Sequence, residues 1–315
     1  MNYDGVNLNI NQLYESFLKA KKSIGICNEA DKAKILVSGE MALQLINHFS
    51  IMKVDDKICT NFYTILLKKK KFISEVLVTR LSLYRYLVIT NEPKKVMRLF
   101  KRKKRKYPLA TIRNVTNEYA IFSFHGDNAN NFFRDIDYRY IYKTKHQNYT
   151  YYQLICPKRE QAITYRHFLK MNFIPISLEH KRLFLYNNNV VLNIDKIPKR
   201  YRLSVCSELY PNNILRYKVK DIKVVTYELE GNHLVTNKHK VYSYLRKKAG
   251  IIHCIYKLPN KNNPYIMAFV KRDKEKKVSL VKVGKQDAII RPILNYQWGK
   301  YAYWFSNNYR WKIKY

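Results

Sequence analysis

Apolar residues recur at helical spacing from the start of the chain, where Asn11 can cap a segment carrying Leu13, Phe17 and Leu18 on one side. Ser38-Gly39 interrupts the pattern, and Met41, Leu45, Ile46 and Phe49 then mark a second apolar face. The two short segments around that break, residues 29–49, fit plain helical packing, with a helix-turn-helix as the alternative. Ser74 to Ile89 sets Val76, Leu77, Leu81 and Tyr84 on a helical stripe, although its β-branched content keeps strand open. Pro93 opens a last segment that runs into a block of cations. Residues 1–106 therefore read as a helical module.

From residue 107 the texture changes to short alternating runs broken by Asn, Gly and Pro, which is strand and turn chemistry. The expected class is α+β, with a helical basic module at 1–106, an α+β module at 107–200 and a strand-rich basic and aromatic module at 201–315. Tyr142 to Gln161 and Tyr256 to Glu275 share Tyr-Lys, Asn, Tyr and Lys-Arg positions with a single gap. Duplication of one module accounts for this, as does shared Tyr-, Lys- and Asn-rich composition.

The order strand, Asn-rich turn, strand ending in a basic residue, short helix, strand, then Tyr186 to Asn189 ("YNNN") resembles the C-terminal region of the Bro proteins of large insect DNA viruses. That group has DNA-binding members. The resemblance covers about residues 138–195 and extends to the second copy at about 250–310. It implies a viral or mobile-element nucleic-acid protein. The family's N-terminal DNA-binding pattern is not recognisable in residues 1–106, so its binding residues have no counterparts here.

Charge strengthens the same expectation. The 315 residues carry 60 Lys and Arg against 23 Asp and Glu, a net +37, on a chain that is 47% hydrophobic. A foldable chain with that surplus repels itself unless polyanions neutralise it. Residues 1–106 hold 22 cations against 9 acids, 107–200 hold 14 against 7, and 201–315 hold 24 against 7, so both ends are more basic than the middle. DNA or RNA is the expected partner, bound through phosphates with little sequence readout and with strong salt dependence. Without an apolar leader or a run of membrane-spanning length, the chain reads as intracellular, in nucleus or virion, neither secreted nor membrane-bound. Five scattered cysteines, none in a C-x-x-C pattern, read as reduced thiols.

Candidate phosphate contacts are the run Lys101, Arg102, Lys103, Lys104, Arg105 and Lys106, which also fits a nuclear address, together with Lys271 and Arg272. In Tyr309-Arg310-Trp311-Lys312-Ile313-Lys314 apolar and basic residues alternate, so a strand would present Arg310, Lys312 and Lys314 on one face. Tyr309 and Trp311 are then candidates for stacking on bases. Catalysis is not the leading expectation. A rival reading is a metal-dependent nuclease or nucleotidyl-transfer enzyme using Asp135 and Asp137, with Asp195 as a third carboxylate. Another is a structural virion or ribonucleoprotein component, which leaves homo-oligomers or protein assemblies open. His233, His239, His253 and Cys254 match no usual zinc spacing, and neither metal nor cofactor is expected.

Overall fold

Side chains along the strands alternate between two buried faces, so odd and even positions pack against different partners. The computed structural model describes residues 10–55, 60–69, 71–134, 140–147, 149–188, 190–191, 202, 222–230, 240–243, 248–258, 262–271, 278–283 and 286–292. The class is α+β, as the sequence leads one to expect. Two units divide the chain: Met1–Val224 with Lys257–Lys261, and Val225–Tyr256 with Asn262–Tyr315.

The first unit opens with α1 (Ile10–Lys22) and β1 (Gly25–Asn28). A first half-sheet follows as β2 (Ala33–Ser38), α2 (Ala42–Asn47), β3 (Thr60–Lys68), β4 (Lys71–Ser82), β5 (Arg85–Thr90), α3 (Pro93–Lys103) and β6 (Thr111–Asn114). A second follows as β7 (Tyr119–His125), α4 (Ala129–Arg134), β8 (Ile141–His146), β9 (Tyr149–Pro157), α5 (Gln161–Lys170) and β10 (Ile174–Ile176), and α6 (Leu178–Asn187) closes the series. The strands form one ten-stranded sheet in the order β10-β1-β7-β9-β8-β3-β4-β5-β2-β6. The halves meet at a short parallel seam, with Thr60, Asn61 and Phe62 of β3 opposite Lys143, Thr144 and Lys145 of β8.

One face of this sheet is largely apolar. Ile35, Val37, Val76 and Val78 pack with Leu45 and Ile46 of α2 and Val96 and Phe100 of α3. On the other half Ile26, Phe122, Phe124 and Leu154 pack with Phe133 of α4 and Phe168 of α5. The intervening residues, among them Leu36, Leu77, Ile121 and Ile155, point to the opposite, inner face. There α1 and α6 cover the β1–β10 end through Phe17, Cys27, Ile176 and Phe184.

The two halves share a construction detail. Gly39 follows β2 directly and Gly126 follows β7 directly, each turning the chain into a short helix, with φ of +104° and +124°. At Gly39 a Cβ would lie 1.8 Å from the Leu109 carbonyl oxygen, and at Gly126 2.4 Å from that of Ser23. Both the left-handed backbone and the backbone contact therefore require glycine.

The second unit is a closed barrel in the order β11-β14-β13-β12-β15-β16, formed by β11 (Ile222–Leu229), β12 (Lys240–Ser243), β13 (Lys248–Tyr256), β14 (Tyr265–Lys271), β15 (Val278–Val283) and β16 (Gln286–Pro292). Tyr227, Val241, Ile252, Ile266, Ala268, Val281 and Ile290 are among its buried core.

Several expectations change at this level. Residues 29–49 form a strand, a glycine turn and a helix, and Ser74–Ile89, where helix and strand were both open, is a hairpin of β4 and β5. The boundary drawn at 106/107 falls inside the first unit, and the division of units falls at 224/225 rather than at 200/201. Tyr142–Gln161 spans a hairpin and the start of a helix in the sheet, whereas the matching stretch from Tyr256 enters β14 of the barrel, so the two segments occupy different architectures.

Gly39→Ala and Gly126→Ala should each lower the free energy of unfolding by more than about 2 kcal/mol, given the strained backbone and the carbonyl contact. Urea denaturation of the two variants, alongside an exposed alanine control, measures this.

Candidate functional site

The inner face of the sheet is where polar groups are buried. Across the seam, Asn61 on β3 donates from Nδ2 to Thr144 Oγ1 (2.7 Å) and Gln153 Oε1 (2.7 Å) and accepts from Thr79 Oγ1, tying four strands together. Thr144 Oγ1 also donates to Gln153 Oε1 at 3.2 Å. Two residues further along, at the end of β8, His146 stacks on Tyr63 of β3 with ring centroids 3.7 Å apart and planes 28° from parallel.

At the far end of β1 the carboxylate of Glu29 is fully buried between two ammonium groups, those of Lys181 on α6 and Lys32. Lys181 is 6% exposed; its Nζ also lies 3.4 Å from Ser123 Oγ and 4.9 Å from the centroid of the Tyr151 ring. Ser123 Oγ bonds His125 Nε2 at 3.0 Å, and His125 Nδ1 bonds the Tyr149 hydroxyl at 3.2 Å. His125 in turn stacks on Tyr151 at 4.9 Å.

Helix α6 is aimed by its cap. Ser177 receives a hydrogen bond from the His180 backbone N–H, and the Ser177 N–H donates to His180 Nδ1 at 3.1 Å. With Nδ1 accepting, Nε2 carries the hydrogen of the neutral ring and donates to Ser16 Oγ at 2.6 Å. The helix thereby presents Leu178, Lys181, Arg182 and Leu185, one turn apart, to a cavity of about 530 Å³.

Three kinds of surface enclose that cavity. Tyr63, His146 and Tyr151 form its aromatic wall. Leu77, Ile89, Leu178 and Leu185 supply aliphatic area, and the charges are Asp31, Lys32, Glu75, Lys181 and Arg182. Arg182 is paired with Glu179 on its own helix.

Protonation follows from these placements. Burial alone would raise the Glu29 carboxyl, but the ammoniums of Lys181 and Lys32 overcome it and hold the group far below the usual carboxylate range. Burial, reinforced by the same two lysines, lowers His146 to about 3 and His125 well below the ordinary histidine value. Burial and then the charge of Glu29 push the Cys27 thiol up to about 12, which removes it as a nucleophile at neutral pH. At pH 7 the inner wall therefore presents neutral imidazoles beside a compensated ion cluster.

Of the residues expected from sequence to contact phosphate, the described ones do not line this cavity. Lys101, Arg102 and Lys103 end α3, and Lys104, Arg105 and Lys106 form a single exposed turn after it. A shallow depression on α3 is lined by Lys94, Met97, Arg98, Lys101 and Arg102, all from that one helix. Lys271 is an exposed residue at the end of β14. Arg272, Tyr309, Arg310, Trp311, Lys312 and Lys314 lie outside the described residues, as do Asp135, Asp137 and Asp195. His253 and Cys254 lie in β13, while His233 and His239 are outside the described residues. Among the described residues no group of three metal-ligating side chains occurs.

Sequence reasoning missed Glu29, His125, His146, Tyr151 and Lys181. No local signal marked them: Lys181 sits in the polar stretch Glu179-His180-Lys181-Arg182, indistinguishable there from its exposed neighbour Arg182.

Comparison with known proteins agrees with the geometry. The family model of the GCVT N-terminal domain matches residues 10–156, a little under half of the chain. The glycine cleavage system aminomethyltransferase T from Bartonella henselae shares the fold at a TM-score of 0.67 and 10% identity, covering 89% of this chain and 88% of that one. Heterotetrameric sarcosine oxidase from Corynebacterium sp. U-96 matches 48% of this chain and 86% of its own at 9% identity, and its TM-score of 0.33 is too low to bear on the fold. No curated protein sequence matches.

These findings overturn the Bro-type resemblance and the viral, DNA- or RNA-binding reading built on it. The physical reason is that Asn-rich turns and basic strand ends are common solutions for hairpins, and surplus charge does not specify a ligand.

Lys181→Met should cost about 3–5 kcal/mol by leaving a buried carboxylate short of a partner, and adding Glu29→Gln should recover part of that loss. A double-mutant cycle in urea measures both. Because His146 is depressed in the folded state, its contribution to stability is complete above the unfolded value near 6.5 and is lost as pH falls toward about 3. Between pH 7 and pH 5 this group alone should remove about 2 kcal/mol, and His146→Phe should flatten the profile. His125 acts with the same sign.

Proposed function

We propose that this chain is a folate-binding enzyme of the glycine-cleavage T-protein type, with its ligand in the cavity between the inner sheet face and α6. Support comes from the matched family model and from the aminomethyltransferase whose fold the chain shares, proteins of a kind that bind folate. The single observation that carries the reading is the composition of the cavity. A folate joins a flat heteroaromatic ring to a carboxylate-bearing tail, and this cavity joins an aromatic and aliphatic wall to the cations Lys32 and Arg182.

The residues fit such a ligand. Tyr63 and Tyr151 offer ring faces, Leu77 and Ile89 exclude water from the space beside them, and the buried Nε2 of His146 has no hydrogen-bond partner within the protein. Lys181, engaged by Glu29, fixes α6 in place and keeps the second wall at its distance. A reduced folate supplies a one-carbon unit carried on its ring nitrogens. Asp31 and Glu75 are the lining carboxylates outside the Glu29 ion cluster, so they are the groups placed to exchange a proton with a bound amine.

Isothermal titration with 5-formyltetrahydrofolate tests the reading, with riboflavin as a flat control lacking the tail. Micromolar to submillimolar affinity is expected. Arg182→Ala, which removes a partly exposed rim cation, should weaken it several-fold, an effect reduced by salt. Absence of binding at millimolar ligand, or equal binding of riboflavin, would overturn the reading.

A further inference from the structure

Among the buried polar atoms of the first unit, Nε2 of His146 has the most direct bearing on a ligand. His146 is 4% exposed, its Nε2 has no hydrogen-bond partner within the protein, and the residue lines the cavity. A buried polar group left unpaired costs about 1–3 kcal/mol, and such a group persists where a ligand or water completes it. The orphan nitrogen belongs to a ring already held face to face with Tyr63, so its direction is fixed before anything binds. The two rings come from opposite sides of the β3–β8 seam, each on a strand buried in the sheet.

We infer that His146 is the ring-reading residue of the site: its Nε2 makes the hydrogen bond that selects a flat heteroaromatic ligand bearing a complementary ring N–H, C=O or ring nitrogen. This deepens the folate reading and rests on it for the identity of the ring. Three features separate this role from simple packing. A phenylalanine would fill the same space against Tyr63 without an orphaned atom. A charged ring would repel the neighbouring Lys181 and Lys32, whereas the neutral imidazole accepts or donates one hydrogen bond according to its tautomer. The adjoining Gln153, fully buried on the inner face, also keeps an unpartnered Nε2, so polar capacity in this region exceeds what the protein itself uses.

The role predicts selectivity within one ligand. His146→Phe should weaken 5-formyltetrahydrofolate about tenfold, the loss of one hydrogen bond to a buried partner. It should leave p-aminobenzoylglutamate, which has the tail without the pterin, unchanged. His146→Gln, which restores a donor and an acceptor, should recover part of the loss. Because the imidazole stays neutral through the physiological range, wild-type affinity should be flat between pH 6 and pH 8.

In the wild-type protein, spectra of ¹⁵N-labelled histidine should show the His146 ring nitrogens move on adding 5-formyltetrahydrofolate or free pterin. That measurement does not depend on any variant folding. Folate binding without movement of those resonances, or wild-type affinity in His146→Phe, would overturn the assignment of His146 while leaving the folate reading intact. Movement with pterin in a protein that fails to bind folate would do the reverse, keeping the ring contact and removing the folate reading. Silence toward both ligands would remove the two together.

Discussion

Everything at the candidate site depends on a short seam. Strands β3 and β8 pair in parallel over three positions, and among the described residues this is the strand pairing that joins two half-sheets of related construction edge to edge. So brief a ladder contributes few backbone hydrogen bonds, and the side chain of Asn61 reinforces it by reaching Thr79, Thr144 and Gln153 on three neighbouring strands. Such a network is strong only when nearly every member is satisfied, because the low dielectric that strengthens its bonds also penalises any orphan. The seam matters for function because Tyr63 lies beyond Asn61 on one side and His146 beyond Thr144 on the other. Their stacked rings are a direct consequence of the register.

That dependence explains how much of the protein could be seen in its sequence. The β-branched content of "ISEVLVTRL" kept strand open beside a helical stripe, the texture after residue 107 marked strand-like runs such as "YAIFSFH", and Pro93 with the cations after it marked the helix α3 and its end. The helical reading of 29–49 failed because "KILVSG" is a strand whose two faces are both buried, and a continuous apolar run has no period to distinguish it from a helix. Gly39 was legible as a break. Its equivalence to Gly126 was not, since the two halves share geometry rather than residues. The site was less legible still: Glu29 and Lys181 are 152 positions apart, and nothing local marks either as one half of a buried pair.

The charge surplus misled for a related reason. A net +37 is a property of the whole surface, and it raises the local concentration of any anion without shaping a place to hold one. The run Lys101–Lys106 shows this directly. Its first three cations sit on the last turn of α3, where positive charge complements the helix dipole, and the next three are exposed on the turn that follows. Their aromatic neighbours Phe100 and Tyr107 pack into the apolar cluster of α2 and α3. The cations that do converge are Lys32, Lys181 and Arg182, three unremarkable residues in the sequence that the fold delivers to one cavity.

Electrostatics inside the cavity runs opposite to that outside. Two lysines drawn inward neutralise Glu29, and their remaining field, added to burial, keeps His125 and His146 uncharged. A basic protein that needs neutral imidazoles has in this sense an advantage, because each nearby ammonium opposes protonation of the ring. The ion cluster therefore has two effects on the same wall: it anchors α6 through Lys181, and it holds the histidines in the form that can accept as well as donate a hydrogen bond. The partly exposed charges of Lys32 and Arg182 and, deeper in, the paired ammonium of Lys181 beside the neutral ring of His146 thus line one cavity.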